Sequence, residues 1–519
     1  MFVEDLVNDE IKKTENGANA FNTSGNALVD LNFKVPSMRK DVDYVLFEKS
    51  LGEDTEHTLK WILYLRDIRN GIGERKSFRE ICVYLSNKHE ELFLKFLMAH
   101  LEEFGRYDDL VYIAYNTKSL GVKRSVITII INQLEKDVEN MNSNKSISLL
   151  AKWLPSENSS SKETKKMAKF MMKELSISPK EYRKTLSKLR KYIDVVETHM
   201  SNNTWDKIDY ESVPSKANLV YGNAFYRHDN ERRLKYLGEL TKGEKKINAN
   251  SMFLYDIVHK YRNMNDDDYW YNNYKKNIKE DATLEELWKH QDKVKGFTDT
   301  LVVRDGSGSM TSYISNNSSV SAMDVGDAIT IYATENNVGE YKNKFITFSS
   351  KPQVVDFTGC NTLADKLAYL NKYDDCSNTN IEAVFDMVLN TAIKHKYTQE
   401  ELPKQILIVS DNEFDFVAND VYNYYGESTP EVDKALFEEL AERYEKNGYK
   451  LPKLVFWNVN SRTNAIPLQQ NELGVILVSG FSKNIFDMVL STELDPYKAL
   501  IKELDSGRYD IIKDLSLSI

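Results

Sequence analysis

The spacing of apolar residues changes once along the chain, near residue 298, and this change constrains the fold more than any other feature. From Val42 to about Leu287 apolar residues recur at helical spacing without a convincing strand, which favours an α-solenoid or a helical bundle. The pattern alone leaves both open. After residue 298, short β-branched runs alternate with helical segments, which is typical of a doubly wound, parallel α/β domain. We therefore predict a helical domain over residues 1–297 and an α/β domain over 298–519.

Individual elements follow from the same patterns. Residues 1–40 contain turn formers such as Asn16-Gly17 and are predicted to form a polar lead-in. In the α/β domain the predicted strands are Thr300–Arg304, Phe345–Phe348, Gln405–Ser410, Leu454–Val459 and Val475–Val478, and the predicted helices are Ala322–Asn336, Ile381–Lys394, Val432–Asn447 and Lys483–Val489.

Composition narrows the class of protein. Only three cysteines occur in 519 residues, which excludes a disulfide framework and a cysteine-rich zinc site. No apolar run is long enough to span a bilayer, and the acidic N-terminus lacks the layout of a signal peptide. We therefore predict an intracellular, cytoplasmic protein with no membrane partner.

The net charge of −10 is unevenly distributed. Up to Phe297 there are 49 basic and 46 acidic residues, whereas the remainder has 20 against 33. Residues 151–250 hold 21 basic against 13 acidic residues. A local basic surface is therefore expected in the helical part, and either nucleic acid or a solvated set of helix faces accounts for it.

One short motif carries ligand chemistry. Asp305, Ser307 and Ser309 form a D-x-S-x-S turn at the carboxyl end of the first predicted strand of the α/β domain. A carboxylate and two hydroxyls on a glycine-rich turn can converge on one point, and hard oxygen ligands suit Mg²⁺. Thr379 and Asp411 supply another hydroxyl and carboxylate at later loop and strand ends. The alternative is a metal-free turn in which Asp305 only caps the next helix.

This set resembles the metal-ion-dependent adhesion site of a von Willebrand factor A domain, over roughly residues 298–490. The resemblance implies that Asp305, Ser307 and Ser309 form the first metal loop, Thr379 the second and Asp411 the third. It also implies Mg²⁺ or another divalent cation, with one coordination position left for a carboxylate of a protein partner. No histidine or cysteine nucleophile accompanies the set, so we predict no enzyme, and a two-metal nuclease is a minor alternative.

The helical part resembles the TROVE module, the HEAT-like helical-repeat ring of the Ro autoantigen family. The stretches that carry this resemblance are Tyr64–Arg75, with its R-D-x-R-x-G-x-G-E-R pattern, and Phe104–Leu110. The whole chain is still more similar to the domain-of-unknown-function family 2828, a relative of that architecture. The motifs for that similarity are Asn16–Ala18 with Asn26–Asp30, Lys152–Ser156, Ser410–Asp415 and Val478–Lys483.

The Ro resemblance implies that the ring binds single-stranded or structured non-coding RNA, while the A domain carries metal and braces the ring or binds partners. Lys and Arg neutralise phosphate, and aromatic or Arg planes stack on unpaired bases. For each basic cluster a purely structural role is the alternative. The candidate RNA-binding residues are Arg66, Arg69, Arg75, Lys76, Tyr182, Arg183, Lys184, Lys188, Arg190, Lys191, Arg227, His228, Arg232 and Arg233.

A second hypothesis follows from the acidic balance of the whole chain, because strong RNA binders are normally basic. In this hypothesis the protein is a scaffold without RNA. It captures protein partners through the metal-dependent site, and the helical part is a rigid platform.

Overall fold

The computed structural model describes residues 11–13, 19–263, 278–294, 297–315, 318–348, 352–373, 381–411, 436–460, 475–489 and 495–512. By their contacts the residues fall into two units, one of residues 1–58 with 252–508 and one of residues 59–251 with 509–519. The domain boundary at residue 297 stays a prediction. None of the described helices is both long enough and apolar enough to cross a bilayer.

The described residues up to Lys289 are mainly helical, as predicted, apart from an antiparallel pair of short strands, β1 (Ile11–Lys13) and β2 (Asn19–Phe21). The longer helices are Tyr44–Glu53, Thr55–Arg66, Lys76–Lys88, Tyr107–Asn116, Leu120–Asn142, Lys162–Glu174, Pro179–Ile193, Ser215–His228, Asn230–Thr241, Leu254–Asn263 and Ala282–Lys289. The shorter helices are Ala27–Phe33, Val35–Met38, Glu90–Leu92, Leu101–Phe104, Leu150–Trp153 and Val196–Ser201.

The C-terminal part contains a mixed six-stranded sheet in the order β5-β4-β3-β6-β7-β8. Its strands are β3 (Thr300–Asp305), β4 (Lys344–Phe348), β5 (Val354–Asp356), β6 (Gln405–Ser410), β7 (Lys453–Asn458) and β8 (Val475–Ser479). The helices of this part are Ala322–Asn336, Leu363–Leu370, Ile381–His395, Leu436–Lys446, Phe486–Val489 and Pro496–Leu504.

The prediction of a wholly parallel sheet is wrong at one edge, where β5 pairs antiparallel with β4. Only residues 349–353 separate these two strands, which is too short for the crossover that a parallel pair needs. The other neighbouring strands are parallel. The Leu436–Lys446 helix lies within the predicted Val432–Asn447, of which residues 432–435 fall outside the described part of the chain.

Helical residues cover both faces of the sheet. On one face, Leu301 and Val303 of β3 pack in a core with Val384, Phe385 and Leu389 of the Ile381–His395 helix. On the other face, Arg304 bonds to Asp327 of the Ala322–Asn336 helix. Because side chains alternate along β3, the Ile381–His395 helix packs on one face of this strand and the Ala322–Asn336 helix on the other.

The polar lead-in prediction is wrong for residues 27–38, which form two buried helices. The side chain of Asn26 caps the first of them by accepting a bond from the Val29 N–H at 3.0 Å. Val29 and Phe33 then pack into the core of the sheet. The turn formers before residue 27 mark the start of this helix, so they do not indicate a loop that continues to residue 40.

His57 joins two acidic residues in the unit that contains the sheet. Its Nδ1 lies 2.8 Å from Asp54 Oδ2, and its Nε2 lies 3.4 Å from Asp505 Oδ2. The bond to Asp54 raises the pKa of His57, with Asp505 adding to the effect and partial burial opposing it.

We expect the interaction of His57 with Asp54 to stabilise the fold more at acidic pH. Because the pKa of His57 is raised in the folded chain, this interaction contributes stability that is fully present below about pH 6.5. That stability is lost as the pH rises through the folded pKa. The destabilisation caused by His57→Gln should therefore be larger at pH 5.5 than at pH 8.5, by about 0.5–1 kcal/mol. Urea unfolding at both pH values measures this. The exposed His395→Gln is the control, and an equal effect of His57→Gln at both pH values would contradict the expectation.

Candidate functional site

Asp305 ends β3 and is fully buried. Its Oδ1 accepts a bond from the Ser307 N–H at 2.8 Å, and its Oδ2 accepts one from the Ser410 hydroxyl at 2.5 Å. Burial raises the pKa of Asp305, although the bonds from Ser410 and Ser307 oppose the increase. The carboxylate is thus fixed in position by donors from two neighbouring strand ends.

The two hydroxyls of the motif are brought together as predicted. Ser307 Oγ and Ser309 Oγ lie 2.8 Å apart, and Ser307 is buried. Gly306 allows the turn, because a Cβ at this position would lie 3.0 Å from Arg304 Nη1 and 3.3 Å from the Tyr373 carbonyl oxygen. A side chain at this position would therefore require the Arg304 guanidinium or the Tyr373 backbone to shift.

Asp411 directly follows β6 and is also fully buried. Strands β3 and β6 are parallel neighbours, and the strand order reverses between them. Ligands of open α/β sheets bind at the carboxyl ends of the strands beside such a switch point. Asp305, Ser307, Ser309 and Asp411 lie there, whereas Thr379 is outside the described residues.

The oxygen atoms of these side chains are suitable ligands for a magnesium ion, because Mg²⁺ prefers hard carboxylate and hydroxyl oxygens. Within the described part of the chain, no group of three or more His, Cys, Asp or Glu side chains is arranged to hold a metal. A site here therefore depends on the serine hydroxyls together with the two carboxylates.

A network of ion pairs lies next to the loop that contains Asp305, Ser307 and Ser309, and it was not predicted from the sequence. Arg304, the residue before Asp305, donates to Asp327 Oδ1 at 2.7 Å. Arg262 bridges Asp327 and Asp324, and His259 Nδ1 lies 2.8 Å from Asp324 Oδ2. Burial opposes ionisation of Asp324, but the bonds from His259 and Arg262 prevail and lower its pKa. Sequence spacing could not reveal this network because its members come from three separate elements.

The stretches Tyr64–Arg75 and Phe104–Leu110 meet through a second buried network. Arg66 Nε donates to Asp109 Oδ2 at 2.9 Å, and Arg79 Nε donates to Asp109 Oδ1 at 2.5 Å. Asp109 is fully buried and Arg66 is 5% exposed. Gly71 belongs to the same packing, since a Cβ there would lie 2.1 Å from the Tyr64 carbonyl oxygen. These motif residues therefore hold the helices together.

Several predicted RNA-binding side chains are also engaged internally. Tyr182 is buried and donates to the Pro155 carbonyl at 2.8 Å. Arg190 donates to the carbonyls of Ala151 and Leu154. Arg233 is fully buried and donates to Asn218 Oδ1 at 3.1 Å. Like Arg66, these residues make contacts that support the fold, and Tyr182 and Arg190 also line the cleft described below.

The remaining candidates are exposed. Arg183 nevertheless pairs with Glu157 at 2.6 Å, Arg232 bonds to the Trp205 and Ile208 carbonyls, and His228 stacks on Trp205 with ring centroids 4.5 Å apart. The exposed candidates are Arg69, Arg75, Lys76, Arg183, Lys184, Lys188, Lys191, Arg227, His228 and Arg232.

The strongest basic surface was only partly predicted. Residues 162–191 hold 11 basic against three acidic residues, which is the whole excess of the 151–250 region. The Lys162–Glu174 helix buries Ala168, Met171 and Met172 and exposes five lysines that sequence reasoning missed. Their spacing of three and four residues was the available signal. These lysines are Lys162, Lys165, Lys166, Lys169 and Lys173.

Comparison with known proteins assigns the family. A family model described as "Domain of unknown function (DUF2828)" matches residues 14–110 and 122–294. The chain belongs to the DUF2828 family. A second model, "Domain of unknown function (DUF7788)", matches residues 299–507. An uncharacterized protein of Acanthamoeba polyphaga mimivirus is 30% identical over 95% of this chain and 87% of its own length. The expected similarity to family 2828 is therefore confirmed, and neither description names an activity.

Proposed function

We propose that this DUF2828 protein is a Ro-type RNA-binding protein without catalytic activity. In this proposal the helical part is a TROVE-like ring of HEAT-like repeats that holds non-coding RNA, and the sheet-containing part is a von Willebrand factor A-like domain. The strand order of the sheet, with its reversal between β3 and β6, supports the second assignment.

One observation carries the RNA assignment, namely the lysine-rich faces of two helices consecutive in the chain. Lys184 and Lys188 are exposed on the Pro179–Ile193 helix, opposite the buried Leu186 and Leu189. Residues four apart on a helix rise about 6 Å, so each helix presents a row of charges. We call the row of Lys184 and Lys188, together with the row of exposed lysines on the Lys162–Glu174 helix, the lysine faces. Rows of exposed cations match a phosphate backbone and release its counterions on binding.

The double charge reversal Lys184→Glu/Lys188→Glu should weaken RNA binding about tenfold at 0.1 M salt. It should also reduce the slope of log affinity against log salt by about 0.7 for each phosphate of a single strand that the variant no longer neutralises. Fluorescence anisotropy with a labelled single-stranded RNA measures both quantities.

The matched control is Lys394→Glu/Lys446→Glu, which reverses the same charge at two exposed lysines of the acidic C-terminal part. Because net charge changes equally, any difference between the variants reports the position of the lysines. If both double variants changed the affinity and the salt slope equally, the lysine faces would not be the RNA site.

A second function is favoured by the oxygen donors at the switch point. In this proposal Asp305, Ser307, Ser309 and Asp411 hold Mg²⁺, with Thr379 as a further ligand, and the ion offers a coordination position to a partner's carboxylate. The buried, donor-fixed Asp305 and the adjacent serine hydroxyls support it. The two proposals use different parts of the chain and can be tested separately.

A further inference from the structure

A cleft of about 850 Å³ lies beside the Pro179–Ile193 helix, within the unit of residues 59–251 and 509–519, and Arg183, Ser187 and Lys191 of this helix line it. Its walls come from the loop around Glu157, from this helix and from the Val196–Ser201 helix. The volume is in the range of small-molecule sites. Hydroxyls and amides line much of it, namely those of Ser156, Asn158, Ser187, Thr198, Ser201 and Asn202.

One wall of the cleft carries positive charge. Arg190 donates to two backbone carbonyls and to Ser156 Oγ, so within the described chain the acceptors that its guanidinium bonds to are all neutral. Burial in poorly solvated surroundings lowers the pKa of Arg190. Lys152 and Lys191 line the same cleft. An anion entering the cleft would neutralise this wall, and phosphate is the anion that the lysine faces already favour.

Another wall carries a carboxylate. Glu197 Oε1 accepts a bond from the Tyr221 hydroxyl at 3.3 Å, while its Oε2 is buried and receives no hydrogen bond from the described residues. A buried carboxylate oxygen without a donor is costly. A ligand in the cleft whose N–H group donated to this carboxylate would remove that cost.

We propose that this cleft holds one unstacked nucleotide of the bound RNA, with phosphate at the Arg190 wall and an amino group of the base at Glu197. This assignment rests on the proposed RNA-binding function and adds a preference to it. Unpaired bases are typically read on their hydrogen-bonding edges in this way. Cytosine and adenine present an amino donor, whereas uracil presents a carbonyl oxygen at the equivalent position and repels the carboxylate.

The test compares binding of the decamers C10 and U10 to the full chain, since the two bases differ mainly in the group that would face Glu197. We expect C10 to bind about fivefold to tenfold more tightly than U10. Glu197→Ala should bring the ratio close to one. The control Glu163→Ala removes the same charge from an exposed acid that does not line the cleft, and it should leave the ratio unchanged.

A blocking variant gives a second measurement. Ser187→Trp places a large side chain at an exposed position that lines the cleft and should weaken binding of both decamers about tenfold. An equal C10 to U10 ratio in wild type and Glu197→Ala would overturn the cleft assignment and leave RNA binding intact. Binding of neither decamer would overturn both. Competition by CMP as effective, per nucleotide, as C10 would assign the cleft to free nucleotides and overturn the RNA assignment.

Discussion

Asp109→Ala should destabilise the helical unit by about 3–5 kcal/mol. Asp109 is fully buried and accepts bonds from Arg66, from Arg79 and from the Arg106 N–H. Removing this carboxylate would take the acidic partner from the buried Arg66 guanidinium, which costs far more than the loss of one surface ion pair. Urea unfolding followed by circular dichroism measures the change in the free energy of unfolding.

Asp108→Ala is the matched control, because Asp108 is the adjacent acid in the same motif and also pairs with Arg79 and Arg106. Its side chain is 24% exposed, so water can replace part of the interaction that the substitution removes, and we expect a cost of about 1 kcal/mol. Equal losses of unfolding free energy for the two substitutions would contradict the stabilising role that we assign to the buried Asp109 network.

Asp305→Ala should weaken Mg²⁺ binding by about 100-fold, or about 2.8 kcal/mol, because it removes a carboxylate that two donors hold in place at the switch point. Isothermal titration of the full chain with MgCl₂ measures the affinity. The same substitution should remove from a pull-down those partners that bind through the metal.

Asp356→Ala serves as the control, since Asp356 is an exposed carboxylate of the same sheet. It should leave the Mg²⁺ affinity unchanged. If wild type and Asp305→Ala bound Mg²⁺ equally, the magnesium site would be wrong. If they bound Mg²⁺ differently but recovered identical partners, the scaffold function would be wrong and the metal site would stand.

Much of the sheet could be predicted because buried parallel strands read as short apolar runs. Gln405–Ser410 and the Ala322–Asn336 helix agree with the predicted bounds, and the meeting of Ser307 with Ser309 followed from a local turn. The three-residue edge strand β5 was missed because its two apolar residues, Val354 and Val355, are too short a run to indicate a strand.

The features that the sequence could not indicate depend on contacts between residues distant in the chain. Arg66 and Arg233 have the same local pattern as exposed basic residues, and only the packing of other helices shows that they are buried. The bond from Asn458 Nδ2 to the Phe33 carbonyl, at 2.9 Å, joins residues more than 400 positions apart. The nucleotide cleft likewise needs Arg190 and Glu197 to face one space across a loop, which no spacing rule indicates.

Whether this chain binds RNA can be measured by recovering the protein from its native cell after crosslinking. The RNA that accompanies it would be sequenced and its binding titrated against salt. We expect enriched structured RNAs and a log affinity that falls linearly with log salt, with a slope that corresponds to several neutralised phosphates. Protein that returns with no RNA above background would contradict RNA binding and leave the metal site as the proposed function.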